Sequence, residues 1–454
     1  MGSPTDQIDL LRHRRTAARD GVDAGWIAKA FGSMIAQGVV EPGEKLAPVR
    51  TVAAELGVST STVAEAWSIL RSHGLIVTDR RRGTTVQPPR VHGRSRYWRV
   101  PIEPGTLELD LSTGTPDPAL LPAIEPILAS ISAEVEVTSY LEPAIVPELE
   151  VELRARWPSE PPALLVVDGA NDALDRVVRS LVRLGDRVIV EDPSYPLLLD
   201  QLEAAGADVV GVSLDRDGPD LDALTAALGG EGGAGARALF LQTGANNPTG
   251  ISLSPERAAA MVELLRPLDT VVVEDHYPGL TGPRAEVTLG TALPDRVIRV
   301  HSFSKTHGPD LRIAALGGPT DLLDEIERRR QLGPGWTSRL LQRVLLEMLR
   351  RPEVDEGVAR AAEIHQVRRQ GLSRALGDLG LDVIDGAGLN LWVPVANEHR
   401  ATVSLAANRI GVAPGEPFRV DDRRHHIRDT SARIGGSIEG AAAATGTAAT
   451  TPAA

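Results

Sequence analysis

The 454-residue chain contains no cysteine. That excludes disulfides and thiolate metal sites, and it suits a reducing cytoplasmic compartment. No metal site is expected. Aromatic residues make up only 3% of the chain, while a hydrophobic content of 42% still permits a large buried core. No apolar run approaches the 18 residues of a membrane span. The opening "MGSPTDQIDLLRHRR" lacks the apolar stretch of a signal peptide, so none is expected. Lysine is also scarce: only Lys29, Lys45 and Lys305 occur, and arginine supplies the other 45 of the 48 Lys and Arg residues. A length of this order accommodates two or three domains.

The net charge of −13 is unevenly distributed. Residues 1–100 carry 15 Lys and Arg against 9 Asp and Glu, so a basic module precedes an acidic body. Within it, Trp26, Ile27, Ala30, Phe31, Met34 and Ile35 recur at helical spacing. "VRTVAAELG" forms a short helix ending on Gly57, and Ser59 caps another whose inner face is Val63, Ala66, Trp67 and Leu70. "LIVTDRRRGTTVQ" alternates as a hairpin around its arginines. Helix, turn, helix and basic hairpin make a winged helix-turn-helix, mostly α with a small β wing, over residues 19–87. Its second helix would enter the major groove of double-stranded DNA with Ser59, Thr60, Ser61 and Thr62 leading. Arg50 precedes the middle helix, and Arg80, Arg81 and Arg82 at the wing tip can neutralise phosphates. The alternative is a small protein-interaction domain with a solvated basic loop.

Residues 88–108, rich in Pro and Arg, read as a linker. From residue 109 to 436 short apolar runs alternate with helical stretches, which implies an α/β domain with a mostly parallel sheet. Residues 320–380 read as largely helical and 381–434 as a smaller α+β subdomain, with "LDVIDGAGLNLWVPV" as a hairpin. The tail 437–454, "AAAATGTAATTPAA" at its end, is expected to be disordered.

Lys305 stands in "HSFSKTHG". Taken alone it could be an ordinary surface lysine. An amine, unlike a guanidinium, can lose its proton when desolvated and then attack a carbonyl, as in Schiff-base chemistry with pyridoxal 5′-phosphate (PLP). Such a site needs a phosphate cradle, an acid for the pyridinium nitrogen, a ring-stacking group and a donor to the phenolic oxygen. Each has a candidate at the C-terminal end of an expected strand. Asp275 in "VVVEDHY" is the acid, and Tyr277 follows it. Gly169, Ala170 and Asn171 open a helix whose backbone N–H groups can reach a phosphate. Tyr195 in "EDPSYP" can stack, and Asn247 in "GANNPTG" can bond the phenolic oxygen. Ser302, Ser304 and Arg312 can contact the phosphate.

"GVVEPGEKLAPVRTVAAELGVSTSTVAEAWSILRSHGLI" followed by "RRRGTTV" resembles the DNA-binding domain of the GntR family. It departs from the family at Thr60 and Ala64, where arginine is frequent. The ordered set "GAND", "EDPSYP", "NNPTG", "VVEDHY" and "SFSKTHGPDLRIA" resembles the fold-type I aminotransferases. That resemblance implies an internal aldimine on Lys305, Asp275 on the ring nitrogen, Tyr195 against the ring, and Asn247 and Tyr277 on the phenolic oxygen. It also implies that Tyr140 reaches a neighbouring subunit's phosphate, which requires a homodimer, and that Arg428 forks onto an effector carboxylate. After Tyr140 the glycine usual in that family is absent. The two parts in this order resemble the MocR subfamily of transcription regulators. The resemblance implies a PLP-dependent regulator of a DNA operator, with an amine, an amino acid or PLP itself as effector, in a homodimer for which domain swapping is one arrangement. The residues leave a second reading open, a working aminotransferase whose N-terminal domain is vestigial or docks another protein.

Overall fold

The structure, a computed structural model, describes residues 7–8, 10–12, 22–36, 39–40, 43–72, 76–79, 83–86, 96, 107–131, 139–229, 235–277, 279, 286–435 and 438–450. The chain separates into two compact units. One is Met1–Ser95 with the short segments Val182–Arg187 and Leu202–Asp208, and the other is the remainder.

In the first unit, helix α1 (Ala24–Ala36) buries Ile27, Phe31 and Met34, the spacing the sequence predicts. Helix α2 (Val49–Leu56) stops at Gly57, whose φ of 64° is the left-handed cap that glycine adopts without strain. Helix α3 (Thr60–Ser72) turns Val63, Ala66, Trp67 and Leu70 inward. The Phe31 and Trp67 rings meet edge to face at 4.7 Å. Strands β1 (Ile76–Asp79) and β2 (Gly83–Val86) pair antiparallel from Ile76 opposite Val86. A third stretch joins them: Val86 N–H donates to the Glu44 carbonyl and Leu46 N–H to the Thr84 carbonyl, each at 2.9 Å.

This core begins ahead of residue 19, the expected boundary. Ile8 and Leu11 are buried in it. Gln7 is wholly buried, donates from Nε2 to the Lys45 carbonyl at 3.0 Å, and accepts from Ala47 N–H at 3.0 Å. Two apolar residues within "QIDLLRHRR" are too short a pattern to declare a packed element in the sequence.

From residue 107 onward the strands are β3 (Leu109–Asp110), β4 (Ala163–Val167), β5 (Arg187–Asp192), β6 (Asp208–Asp215), β7 (Gly218–Pro219), β8 (Ala238–Leu241), β9 (Val271–His276), β10 (Val297–Ser302) and β11 (Ala314–Gly318). Then follow β12 (Asn390–Pro394), β13 (Ile410–Gly411), β14 (Ala413–Pro414) and β15 (His426–Thr430). The central sheet has the order β4-β11-β10-β9-β8-β5-β6-β7. β5, β8, β9 and β10 run parallel, while β11 runs antiparallel to both its neighbours. β9 and β10 are buried along their whole length, as a sheet covered on both faces requires. Residues 320–380 are helical as expected, in Thr320–Gln331, Arg339–Leu349 and Pro352–Asp378. The smaller subdomain is built on the antiparallel sheet β12-β15-β14.

Two expectations are corrected. The stretch 381–395 is not a hairpin: only β12 forms, and it pairs with β15, far along the chain. The tail is not disordered over 438–450, where Ile438–Thr450 is a helix with Ala441, Ala442, Ala448 and Ala449 buried. Alanine has the highest helix propensity, and small side chains allow close docking against Leu372 and Leu376 of the same core. The expected linker 88–108 lies outside the described residues except at 96, 107 and 108. Among the described residues no helix is long and apolar enough to cross a membrane.

Candidate cofactor site and nucleic-acid face

Sheet register assembles the cofactor site. Val167 of β4 and Ser302 of β10 both pair with Ala314 of β11. Because β11 is antiparallel, its entry from Arg312 meets the exits of β4 and β10, so Gly169, Ser302 and Arg312 gather at one edge. Gly169 has a φ of 94°, and a Cβ there would lie 3.2 Å from Cζ of Arg312. Glycine is thus required twice, for the turn and for the guanidinium that crosses it. The next residue, Ala170, starts the helix Ala170–Leu181, whose N-terminal N–H groups face the same edge as Asn171 follows in its first turn. The Ser302 hydroxyl is buried without a hydrogen-bond partner in the protein. Ser304 is half-buried on the turn to Lys305.

The acid lies two strands along. Asp275 is buried at the end of β9, paired with Val300 of β10. Its Oδ2 accepts from Gln242 Nε2 at 2.9 Å and from the Tyr277 hydroxyl at 3.2 Å. Its Oδ1 is buried with no protein donor. Burial pushes this carboxyl up from the ordinary carboxylate range, against those two hydrogen bonds and the charge of Lys305. Glu191 nearby is pushed up to about 8, chiefly by burial, so near neutral pH it adds little negative charge beside Asp275. Tyr195 lines the same cavity as Asp275, Gln242 and Glu191.

Lys305 is half-buried, 6.0 Å from the Tyr277 ring centroid, and donates from Nζ to the Gly114 carbonyl at 2.6 Å. Its amine is pushed down to about 8, first by burial and then by the Arg428 charge, with Asp275 opposing. A sizeable neutral fraction is therefore present near neutral pH, as attack on an aldehyde demands. Arg428 is buried on β15. It donates to the Ser112 carbonyl and, at 3.3 Å, to Oδ1 of Asn247, and its Cζ lies 5.1 Å from the Phe418 ring centroid. Asn390 donates to the same Asn247 oxygen at 3.2 Å.

Asp275, Tyr277, Tyr195, Asn247, Lys305 and Arg428 thus come together, as do Gly169, Ala170, Ser302 and Arg312. The Tyr277 hydroxyl is turned to Asp275. Tyr140 is 86% exposed, with its ring 6.0 Å from that of Trp336. Sequence reasoning missed Gln242, which bonds Asp275 and whose Oε1 also accepts from Asn247 N–H at 2.7 Å. It also missed Gly114, Asn390 and Glu191. Gln242 stands in "QTGANNPTG" beside a motif that was read, yet only the pairing of Leu241 with Glu274 sets it against Asp275.

On the first unit, Ser59 accepts at Oγ from Thr62 N–H at 3.1 Å and meets the hydroxyls of Ser61 and Thr62 at 2.6 and 2.8 Å. Ser59 therefore caps α3, and Thr60 and Ser61 stay exposed with Ala64, Glu65, Ser68 and Arg71 on its outer face. Arg50 is exposed on α2. Arg80, Arg81 and Arg82 lie outside the described residues.

Residues 26–86 match the family of bacterial regulatory proteins, gntR family, and residues 108–434 match aminotransferase class I and II. The vitamin B6 salvage pathway transcriptional repressor PtsJ of Salmonella typhimurium is 33% identical over 430 residues, covering 92% of this chain and 96% of that protein. The HTH-type pyridoxine biosynthesis transcriptional regulator PdxR of Corynebacterium glutamicum is 25% identical, covering 76% and 77%. The fold is similar to that of the multiple substrate aminotransferase from Thermococcus profundus, with a TM-score of 0.70 at 22% identity over 76% of this chain and 92% of that one.

The cofactor of this family is PLP, which when bound supplies an aldehyde to amines and an electron sink. The residues fit it. Asp275 Oδ1 and Ser302 Oγ are buried acceptors or donors awaiting a partner, and Arg312 stands over a helix N-terminus. The chain belongs to the class I and II aminotransferase family and, with its N-terminal DNA-binding module, to the MocR-type GntR regulators.

Proposed function

We propose that this PLP-dependent transcription regulator works in the cytoplasm as a homodimer, holds its cofactor covalently through Lys305, and is switched by an amine or amino acid, or by PLP itself. The observation that carries the reading is the enclosed amine of Lys305, pushed down to about 8, beside the buried carboxyl of Asp275 with one oxygen unpartnered. Gly169, Ala170, Asn171, Ser302, Ser304 and Arg312 would hold the phosphate, Tyr195 the ring face, and Asn247 and Tyr277 the polar edge. Arg428 would take an effector carboxylate. The exposed neighbours Tyr140 and Leu141 support a second copy covering them. Arg50, Thr60 and Ser61, with the wing arginines 80–82, would meet DNA, while Ser59 and Thr62 order the helix start. The names of PtsJ and PdxR point to vitamin B6 metabolism as the regulated process and favour PLP among the effectors. A switch requires that the effector bind two DNA-affinity states unequally.

The experiment is an electrophoretic shift of the DNA upstream of the protein's own gene, at low salt, with cofactor-free and loaded protein, with and without added amines. The reading requires a selective shift whose midpoint moves with loading or with amine. Equal affinity in every state overturns the switch. Steady transamination at about 1 s⁻¹ or faster would make the protein an enzyme instead.

A further inference from the structure

Gln242 stands just past β8, is only 7% exposed, and has both ends of its carboxamide engaged. Nε2 donates to Oδ2 of Asp275 at 2.9 Å, and Oε1 accepts from Asn247 N–H at 2.7 Å. The two partners fix which way round the amide sits. Turned over, its oxygen would meet a carboxylate oxygen and its NH2 would meet an N–H. The backbone is held as well: Gln242 N–H and Asn246 Nδ2 both donate to Oε2 of Glu191, at 2.9 and 2.8 Å. A methionine at this position would fill the space and make neither side-chain bond.

The effect on Asp275 follows from which oxygen the amide holds. Oδ2 receives both protein donors, Gln242 and the Tyr277 hydroxyl, and Oδ1 receives none. Burial pushes Asp275 up, and among the interactions that oppose it the Gln242 hydrogen bond comes first, ahead of Tyr277 and the Lys305 charge. The other ionisable groups around the carboxyl are Glu191, Tyr277 and Tyr195. Burial above all pushes Glu191 up to about 8 and the Tyr277 phenol well above its ordinary value, so neither contributes much charge near neutral pH. A neutral amide therefore does for this buried carboxylate what no neighbouring cation other than Lys305 does.

We infer that Gln242 is a positioning residue for the cofactor acid: its amide holds Oδ2 of Asp275 and stabilises the ionised carboxylate, which leaves Oδ1 for the protonated ring nitrogen of PLP. The inference rests on the reading of Asp275 as the partner of that nitrogen. Gln242 acts through Asp275, and the bond from Asn247 N–H serves to keep the amide the right way round.

The test is the pH profile of PLP affinity between about pH 5 and 9, measured by equilibrium dialysis of full-length, cofactor-free protein. Removing the Gln242 donor raises the proton affinity of Asp275, so a proton displaces the cofactor at higher pH. In Gln242→Met the acid limb of the profile moves up by about one pH unit, the scale of one hydrogen bond to a charged group, and PLP binds about tenfold more weakly on that limb. Lys305 and the PLP phosphate titrate in every form, so the readout is the displacement between profiles. In an Asp275→Asn background the same substitution displaces nothing. Gln242→Asn, one methylene too short to reach both partners, moves the limb in the same direction and stands in if the methionine form does not fold. An unmoved limb, a loss of affinity uniform in pH, or a displacement that persists in the Asp275→Asn background overturns the role of Gln242 alone. Asp275→Asn protein that holds PLP as the parent does overturns the reading of Asp275, and this inference with it.

Discussion

The two units handle polar groups in opposite ways. In the DNA-binding unit the candidate contacts Arg50, Thr60 and Ser61 are exposed, while Ser59 and Thr62 are tied together at the helix start. In the PLP-binding unit Asp275, Ser302 and Arg428 are buried, and Lys305 is half-buried with its proton affinity lowered. A polyanion is held by exposed charge through counterion release, which needs little preorganisation. Covalent capture of an aldehyde needs an amine with a neutral fraction near pH 7, which burial supplies here with help from the Arg428 charge.

The strongest way to break this contrast is Lys305→Ala. Borohydride should then trap no cofactor on the chain, against full trapping in the parent, as read by mass spectrometry. Asp275→Asn leaves the amine but removes the buried carboxylate, and PLP retention on dialysis should weaken roughly 100-fold, the scale of a broken buried ion pair.

The enclosure itself can be tested by pH. With Lys305 at about 8 rather than 10.5, the rate of PLP attachment to cofactor-free protein should rise roughly tenfold between pH 7 and 9 and then level. The same shift has a stability consequence. Between about 8 and 10.5 the unfolded chain holds the Lys305 proton that the folded one has released, so this group's contribution favours folding more as pH rises through that window. A rate still climbing tenfold per pH unit above 9 would place the amine in water and erase the contrast.

On the other unit, Gln7→Ala should lower stability by about 2 kcal/mol in urea titration, because the Lys45 carbonyl and Ala47 N–H lose a buried partner. The smallest effect is expected for Arg50→Ala, which should reduce the salt dependence of DNA binding by about one phosphate contact at unchanged sequence preference.

Much of the molecule was legible because its signals are local. The inner faces of α1 and α3 follow from 3.6-residue periodicity, and the motifs around Asn247, Asp275 and Lys305 each sit within a few residues of their strand. What failed was non-local or too short to register. Gln7 reaches Lys45 and Ala47 from the chain's beginning. β12 has its partner at β15 rather than next door, and the alanine-rich helix Ile438–Thr450 is held by residues near 372–376.

Residue chemistry and short-range spacing are enough to say which residue carries the amine, which carboxylate accompanies it, and that a basic helix-turn-helix module precedes both. How they meet is a matter of the folded sheet. The antiparallel insertion of β11 brings Arg312 to Gly169 and Ser302, and the pairing of Leu241 with Glu274 sets Gln242 on Asp275. Register and crossover are set by burying whole faces of a sheet, a collective property that no single stretch of sequence contains.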